Sequence, residues 1–154
     1  MARPIASIVG AAGVAGALVE AQCHITAGLP AIIIIGHASK AVDEAKDRLR
    51  ASFANCQIPM PKKRVTINLS PADLPKDSTS LDLAMAVSIL AESKQIHGKK
   101  AENYLFLGEL SLDGTLAPVR GLIGRLLSAK AAGITSFYIP AANAKQAMLV
   151  PGIT

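Results

Sequence analysis

The stretch VTINLSPADLPKDSTSLDLAMAVSIL, residues 65–90, decides how the chain is organised. Its β-branched start predicts a buried strand, its prolines predict a loop, and its apolar end predicts a helix that is buried nearly all round. Loops that join a strand to a helix commonly carry the chemistry of α/β proteins. Ser80, at the head of this helix, is therefore either a nucleophile or a residue of the helix start.

Local signals define the elements around this stretch. Thr79-Ser80-Leu81-Asp82 fits the [ST]-x-x-[DE] pattern, so we expect Thr79 and Asp82 to cap the helix. The run AIIII at 31–35 predicts a central strand packed on both faces, and Asp113-Gly114 predicts a hairpin. Further strands are predicted over 5–9, 17–26, 104–110, 115–119 and 136–139, and helices over 39–54, 120–132 and 141–148. Their alternation in the second half predicts an α/β fold, a sheet layered with helices, in one domain over residues 1–154.

The formal net charge of +5 suggests contact with a polyanion such as DNA. The densest positive run directly precedes the strand that starts at Val65, and three cations there mark a surface. The alternative is a solvated surface with weak ion pairs. The candidates for phosphate contact are Lys62, Lys63, Arg64, Arg48, Arg50, Arg120 and Arg125, with Arg48 and Arg50 expected to face outward from their helix.

Several classes of site are not supported by the sequence. No G-x-x-x-x-G-K-[ST] motif is present, and the glycines of residues 10–16 lack the dinucleotide-binding spacing. The histidines and cysteines do not cluster as metal ligands. Apolar runs are too short to span a membrane, and the N-terminus shows no signal peptide. Cys23 and Cys56 both lie in apolar contexts, so we expect two reduced, buried thiols in a cytoplasmic protein.

A nucleophilic Ser80 would need a base, either a histidine or a lysine with a lowered pKa. Lys76 is close in sequence, but we expect it to lie in a flexible loop without an apolar wall to depress its pKa. The residues alone therefore leave Ser80 without an evident activating partner.

The segments "NLSPADLPKDSTSLDLAMAVSIL" (68–90), "GLPAIIIIG" (28–36), "AVDEAKDRLRASF" (41–53) and "LFLGELSLDGTLAPVRG" (105–121) together resemble a known family. They are similar, in the same order, to the N-terminal domain of the Mg-chelatase-subunit-I-like AAA+ ATPases, the ComM and YifB type. The turn at residues 37–39 departs from the Leu-Pro-Asp that is usual there. That domain is in turn similar to the proteolytic domain of Lon. The resemblance implies a Lon-like mixed sheet packed with helices, the fold superfamily shared with a small-subunit ribosomal protein domain.

The resemblance also bears on the serine. In Lon the corresponding loop reads P-K-D-G-P-S-A-G, and its serine falls on Ser80. The partner lysine of Lon lies in a G-G-L-K-E-K run, whose two lysines fall on Ile123 and Arg125. An arginine stays protonated and cannot act as the base. The resemblance therefore implies a degenerate Lon-like serine position in a domain without peptidase activity, and this chain is not expected to be an enzyme.

The family context implies a longer parent protein. Its members carry an AAA+ module that binds ATP and Mg, form hexamers and act in DNA branch migration during natural transformation. This chain is expected to be the N-terminal fragment, to have no cofactor and no small-molecule substrate of its own, to support assembly, and to contact DNA. Two alternatives stay open: a residual serine peptidase that uses Ser80, and a pure oligomerisation platform.

Overall fold

A six-stranded mixed sheet with helices packed against it forms the centre of the molecule. The computed structural model describes residues 3–11, 14–76 and 78–154. Residues 12–13, in the predicted glycine-rich turn, and residue 77, in the loop before Ser80, lie outside the described residues. The mixed α/β fold with a helix-covered sheet confirms the fold class that the sequence predicts.

The strands and helices alternate along most of the chain. The strands are β1 Ile5–Ala11, β2 Val14–Thr26, β3 Ala31–Ile35, β4 Arg64–Ser70, β5 Tyr104–Phe106, β6 Glu109–Leu110, β7 Leu116–Ala117 and β8 Ser136–Tyr138. The α-helices are α1 Lys40–Asp43, α2 Ala45–Asn55, α3 Asp82–Glu92, α4 Gly98–Ala101, α5 Leu122–Ala131 and α6 Ala144–Ala147, and short 3₁₀ turns span Thr79–Leu81 and Ala141–Asn143.

The strand order is β3-β4-β2-β1-β5-β8, and only β2 runs against the other five. The register of β2 with β4 pairs Thr26 with Arg64 and Glu20 with Ser70. The five parallel strands therefore all end at the same edge of the sheet. We call this the carboxyl edge, and we call the opposite one, where β4 begins at Arg64, the amino edge.

The prediction of a central strand over 31–35 is wrong, because β3 lies at the margin of the sheet. Its residues alternate: Ile32 and Ile34 are buried, whereas Ile33 is half-buried and Ile35 is exposed. Only one of its faces packs on the core, towards α2. A continuous isoleucine run thus does not distinguish a central strand from a marginal one, because it fits both faces equally well.

The helix predicted over 39–54 is confirmed with one interruption. The Ser39 hydroxyl accepts a hydrogen bond from the Val42 N–H at 3.3 Å, as expected of a helix cap. The helix breaks at Glu44, which separates α1 from α2. The expected apolar stripe is buried along its whole length, and it consists of Val42, Ala45, Leu49 and Phe53.

Two further predictions are confirmed, and a third is corrected. The interior of α3 is almost entirely buried. Strands β6 and β7 form the predicted hairpin, and Gly114 has the positive φ of 91° that favours glycine. The run at 104–110 forms two strands rather than one, since β5 joins the main sheet while β6 pairs only with β7.

The two cysteines differ in environment, so the prediction of two buried thiols is only half right. Cys23 lies in the core, where burial raises the pKa of its thiol to about 12. Cys56 ends α2 at the surface and is exposed. No helix in the described part of the chain combines the length and the apolar character needed to cross a membrane.

An ion pair between α2 and α3 ties the two helices together. The Arg48 Nε lies 2.6 Å from Asp82 Oδ2, and its Nη2 lies 3.0 Å from Oδ1. Asp82 Oδ2 also accepts the backbone N–H of Leu110 at 3.0 Å. The Asp82 side chain has no exposed surface and that of Arg48 is 15% exposed. Arg48 therefore does not face outward as expected, and Asp82 bonds to other elements instead of acting as a helix cap.

The Arg48 guanidinium is held in its charged form by this contact. The hydrogen bond to Asp82 raises the pKa of Arg48, although burial acts in the opposite direction. Burial is also the largest influence on the pKa of the Asp82 carboxyl and raises it, while Arg48 and the Leu110 N–H oppose that rise. A bidentate pair of this kind fixes direction as well as distance, because both oxygens are engaged.

The turn that follows β3 packs directly on the end of β4. Gly36 has a φ of 108°, and a Cβ placed on it would overlap the Leu69 carbonyl oxygen. The Lys76 backbone then bonds to His37 and Ser39. This close approach holds the loop that leads to Ser80 against the margin of the sheet, and it requires a residue without a side chain.

Gly36→Ala is expected to lower the free energy of unfolding by about 3 kcal/mol or more, because the new Cβ meets backbone and the φ is unfavourable. Gly124→Ala is the matched control, since Gly124 lies in α5 and a Cβ added there would have nothing within 4 Å. It should leave stability unchanged or raise it by up to about 1 kcal/mol. Urea denaturation measures both, and equal effects of the two changes would contradict the packing described for Gly36.

Candidate functional site

Ser80 lies at the carboxyl edge of the sheet, in the 3₁₀ turn that leads into α3. The cap of this turn is Ser78, whose hydroxyl accepts the Ser80 N–H at 3.3 Å. The predicted capping role of Thr79 is therefore wrong by one residue. The Ser80 carbonyl accepts the Gly108 N–H at 2.9 Å, which ties the turn to the segment between β5 and β6. Ser80 is held on both sides and is only 5% exposed.

A cleft of about 520 Å³ opens beside Ser80. Its walls come from the end of β1, the 3₁₀ turn, the start of β6 and the segment that enters α5. Its lining is mostly polar and, among the described residues, contains hydroxyl, carboxylate and guanidinium groups but no aromatic side chain. The lining residues are Gly10, Ser78, Thr79, Ser80, Glu109, Pro118, Val119, Arg120 and Arg125.

Arg125 lies at the second of the two positions on which the lysines of the Lon run fall. Its Nη1 donates a hydrogen bond to the Ser80 Oγ at 2.7 Å, and Ser78 Oγ lies 2.6 Å from the same atom. A Cβ on Gly10 would come within 3.0 Å of Arg125 Nε, so glycine at this position leaves room for the guanidinium. A guanidinium keeps its proton at any physiological pH. Arg125 therefore fixes the Ser80 hydroxyl and has no capacity to deprotonate it.

Two further hydrogen bonds engage polar groups beside the Ser80 hydroxyl. The Ser80 N–H, which could otherwise donate to an oxyanion, is bonded to Ser78. The Thr79 hydroxyl donates to Glu109 Oε2 at 2.8 Å. A carboxylate within an apolar strand must face solvent or find a partner, and Thr79 is the partner of Glu109.

Lys76, the other lysine considered as a base, is fully buried. The expectation of a flexible loop is wrong, because its Nζ donates to the carbonyl oxygens of Gly36 and Pro71. Burial lowers the pKa of Lys76, and the charge of Asp73 opposes this. Its ammonium group joins two backbone segments and is engaged away from Ser80. No apolar pattern in the sequence around Lys76 indicates this burial.

The predicted basic residues do not form one surface. Arg48 is engaged with Asp82, and Arg125 is half-buried against Ser80. Arg120 is exposed at the cleft, while Arg50 is exposed on α2 with Asp47 at 3.6 Å. The remaining three are exposed at the amino edge: Lys62, Lys63 and Arg64.

The basic residues at the amino edge lie far from the cleft, which opens at the opposite end of the strands. In the β2–β4 register, Arg64 pairs with Thr26 and Ser70 pairs with Glu20, so six residues of extended chain separate the two edges there. This corresponds to roughly 20 Å at 3.3 Å per residue. The described residues also contain no group of three or more histidine, cysteine or acidic side chains that could hold a metal ion.

Comparison with known proteins identifies relatives over most of the chain. Residues 19–143 match the family described as subunit ChlI of Mg-chelatase. An uncharacterized protein of Mycobacterium tuberculosis strain H37Rv is 41% identical over 153 residues, 99% of this chain and 30% of its own length. Competence protein ComM of Haemophilus influenzae is 39% identical over 138 residues, 90% of this chain and 27% of its own length.

Two further proteins match somewhat less of this chain. The uncharacterized protein YifB of Escherichia coli K12 is 39% identical over 123 residues, 80% of this chain and 24% of its own length. A Lon protease of Lachnoclostridium phytofermentans is 27% identical over 139 residues, 84% of this chain and 17% of its own length. The chain spans less than a third of each relative.

The family match covers more than half of the chain, and its relatives agree with the resemblance drawn from the sequence motifs. The weaker similarity to Lon is consistent with the mixed sheet and with a cleft beside Ser80. The chain therefore belongs to the Mg-chelatase subunit ChlI family, an AAA+ ATPase-type family, as a member of the ComM and YifB kind.

Proposed function

We propose that this chain is a non-catalytic, Lon-like N-terminal domain that serves a hexameric AAA+ ATPase acting on DNA. The observation that carries the non-catalytic part is the hydrogen bond from Arg125 to Ser80. A serine nucleophile must lose its proton as it attacks, and only a neighbouring base makes this loss easy. With arginine in that place the hydroxyl is oriented and is not activated.

The distance alone would suit a catalytic dyad, because 2.7 Å is within the range for a serine and its base. The chemical identity of the partner decides the matter, since the pKa of a guanidinium lies above 12. The Ser78 hydroxyl at the Ser80 N–H weakens an oxyanion site as well. Both features support a site kept for its architecture and argue against a residual peptidase.

Incubation of the chain with an alkyl fluorophosphonate probe is expected to leave Ser80 unlabelled, since the probe reacts with activated serines. The Ser80→Ala variant is the matched control, and an active serine hydrolase shows that the probe works. Intact-mass spectrometry should give no added probe mass for either wild type or variant. Labelling of the wild type that disappears in Ser80→Ala would overturn the non-catalytic assignment.

For DNA, we place the contact at the amino edge. Lys62, Lys63 and Arg64 are adjacent and exposed, whereas Arg48 and Arg125 are engaged within the fold. Consecutive cations on a surface favour contact with phosphates, which carries no base specificity. We therefore expect contact that is insensitive to sequence and weakened by salt.

Lys62→Glu/Lys63→Glu is expected to weaken binding to double-stranded DNA by at least about tenfold, and to reduce the slope of log K against log salt by about two. Lys99→Glu/Lys100→Glu makes the same charge change on another exposed, adjacent pair, beside β5 and three strand positions away from β4. Fluorescence anisotropy at several salt concentrations measures both. Equal losses in the two variants, or binding by neither variant nor wild type at low salt, would contradict a contact localised at Lys62 and Lys63.

We propose that the motor activity belongs to other parts of a longer cytoplasmic protein. The relatives are more than three times as long as this chain, and the sequence contains no phosphate-binding G-x-x-x-x-G-K-[ST] motif. On this proposal ATP and Mg bind to those other parts, residues 1–154 form one supporting domain of the hexamer, and the parent acts in branch migration during natural transformation.

A further inference from the structure

We propose that the cleft beside Ser80 is a binding site for a phosphate group, either inorganic phosphate or the phosphate of a small phosphomonoester. The inference is separate from the DNA contact, because that contact is placed at the amino edge while the cleft opens at the carboxyl edge. It also does not require Ser80 to react. The residues that would hold the ligand are Arg120 and the hydroxyl pair of Ser78 and Ser80, with Arg125 behind them.

The hydroxyl pair of Ser78 and Ser80 has one proton that is available for a ligand. Ser78 Oγ and Ser80 Oγ lie 2.6 Å apart, so one of the two protons lies between them. The remaining lone pairs receive the Ser80 N–H and the Arg125 Nη1. Whichever serine donates to the other, one hydroxyl proton has no acceptor among the contacts of the described residues. A hydroxyl on the wall of a polar cleft can give that proton to a ligand oxygen.

Arg120 supplies the charge. It is exposed, it lines the cleft, and within the described part of the chain it makes no ion pair or hydrogen bond. Arginine suits phosphate because its planar fork presents parallel N–H donors to two oxygens. A partnerless guanidinium on a concave polar wall, next to an unused hydroxyl proton, is an arrangement complementary to an oxyanion.

The shape of the donor set favours phosphate over carboxylate. Arg120 lies before α5, Arg125 lies on α5, and the hydroxyls lie on the 3₁₀ turn, so the donors approach from separate elements. A tetrahedral group with three or four oxygens can meet such donors, whereas the two oxygens of a carboxylate share one plane. Glu109 opposes an anion, but its Oε2 accepts a hydrogen bond from the Thr79 hydroxyl.

The lining also limits what else the ligand contains. Among the described residues no aromatic side chain lines the cleft, so recognition would rest on the phosphate group and not on stacking of a base. The volume of about 520 Å³ accommodates a small phosphorylated molecule and excludes a duplex. The sources of the phosphate to be distinguished are therefore inorganic phosphate and a phosphomonoester such as adenosine 5′-monophosphate.

The test is isothermal titration calorimetry of the chain with inorganic phosphate, adenosine 5′-monophosphate and acetate, at constant ionic strength. We expect phosphate binding that weakens about tenfold in Arg120→Gln. Arg50→Gln is the matched control, because Arg50 is an exposed arginine that lies outside the cleft and beside Asp47. It should bind phosphate as the wild type does, and so should Lys62→Glu/Lys63→Glu.

Each outcome decides between the alternatives. Tighter binding of the monophosphate than of inorganic phosphate assigns a phosphomonoester, and equal binding assigns free phosphate; both support the site. No heat of binding with either, acetate binding as tight as phosphate, or equal losses in Arg120→Gln and Arg50→Gln would overturn it. Loss of DNA binding in the Lys62 and Lys63 variant with unchanged phosphate binding leaves this inference standing, so the two proposals fail separately.

Discussion

The buried contact of Asp82 with Arg48 and the Leu110 N–H is the interaction on which the functional end of the molecule depends. It joins α2, the start of α3 and β6 in one set of hydrogen bonds. Ser80 lies two residues before Asp82, and Glu109 lies directly before Leu110. The positions of both walls of the cleft are therefore set by a carboxylate that never reaches solvent, and a charge buried in this way is tolerable only with its partner in place.

The cleft contains a pair of side chains with the geometry of a catalytic pair, but neither of them can act as a base. Ser80 and Arg125 meet at a distance that a catalytic pair would have, yet the guanidinium cannot take a proton. With arginine at position 125, the cleft has polar walls, hydrogen-bond donors in fixed positions and positive charge. Guanidinium and hydroxyl donors on a concave wall attract anions whether or not the serine reacts.

The sequence predicted what depends on local pattern and failed where a long-range contact decides. The stripe from Val42 to Phe53 and the Asp113-Gly114 hairpin follow from periodicity and turn chemistry. The marginal position of β3 and the burial of Lys76 do not, because the strand that pairs with β3 and the Gly36 carbonyl that accepts from Lys76 both come from segments about 30 or more residues away.

Part of the candidate site could be predicted from the sequence, and part could not. Alignment with Lon offers Ile123 and Arg125 as counterparts of its lysines, and the structure places Arg125 in contact with Ser80. The inward direction of Arg48 was missed, because a helix pattern records an arginine on a polar face and carries no sign of Asp82 opposite it. An aspartate in the first turn of an otherwise apolar helix was the one available signal.

A double-mutant cycle on Arg48→Met and Asp82→Asn, followed by urea denaturation, tests most directly whether these two side chains form a coupled buried pair that stabilises the fold. We expect a loss of about 3–5 kcal/mol of unfolding free energy for either single change. The double variant should cost about 1 kcal/mol more than one single change, which corresponds to a coupling energy of about 2–4 kcal/mol. The exposed pair of Arg50 and Asp47 should show a coupling below about 1 kcal/mol. Additive effects of Arg48→Met and Asp82→Asn, within about 0.5 kcal/mol, would contradict a coupled buried pair.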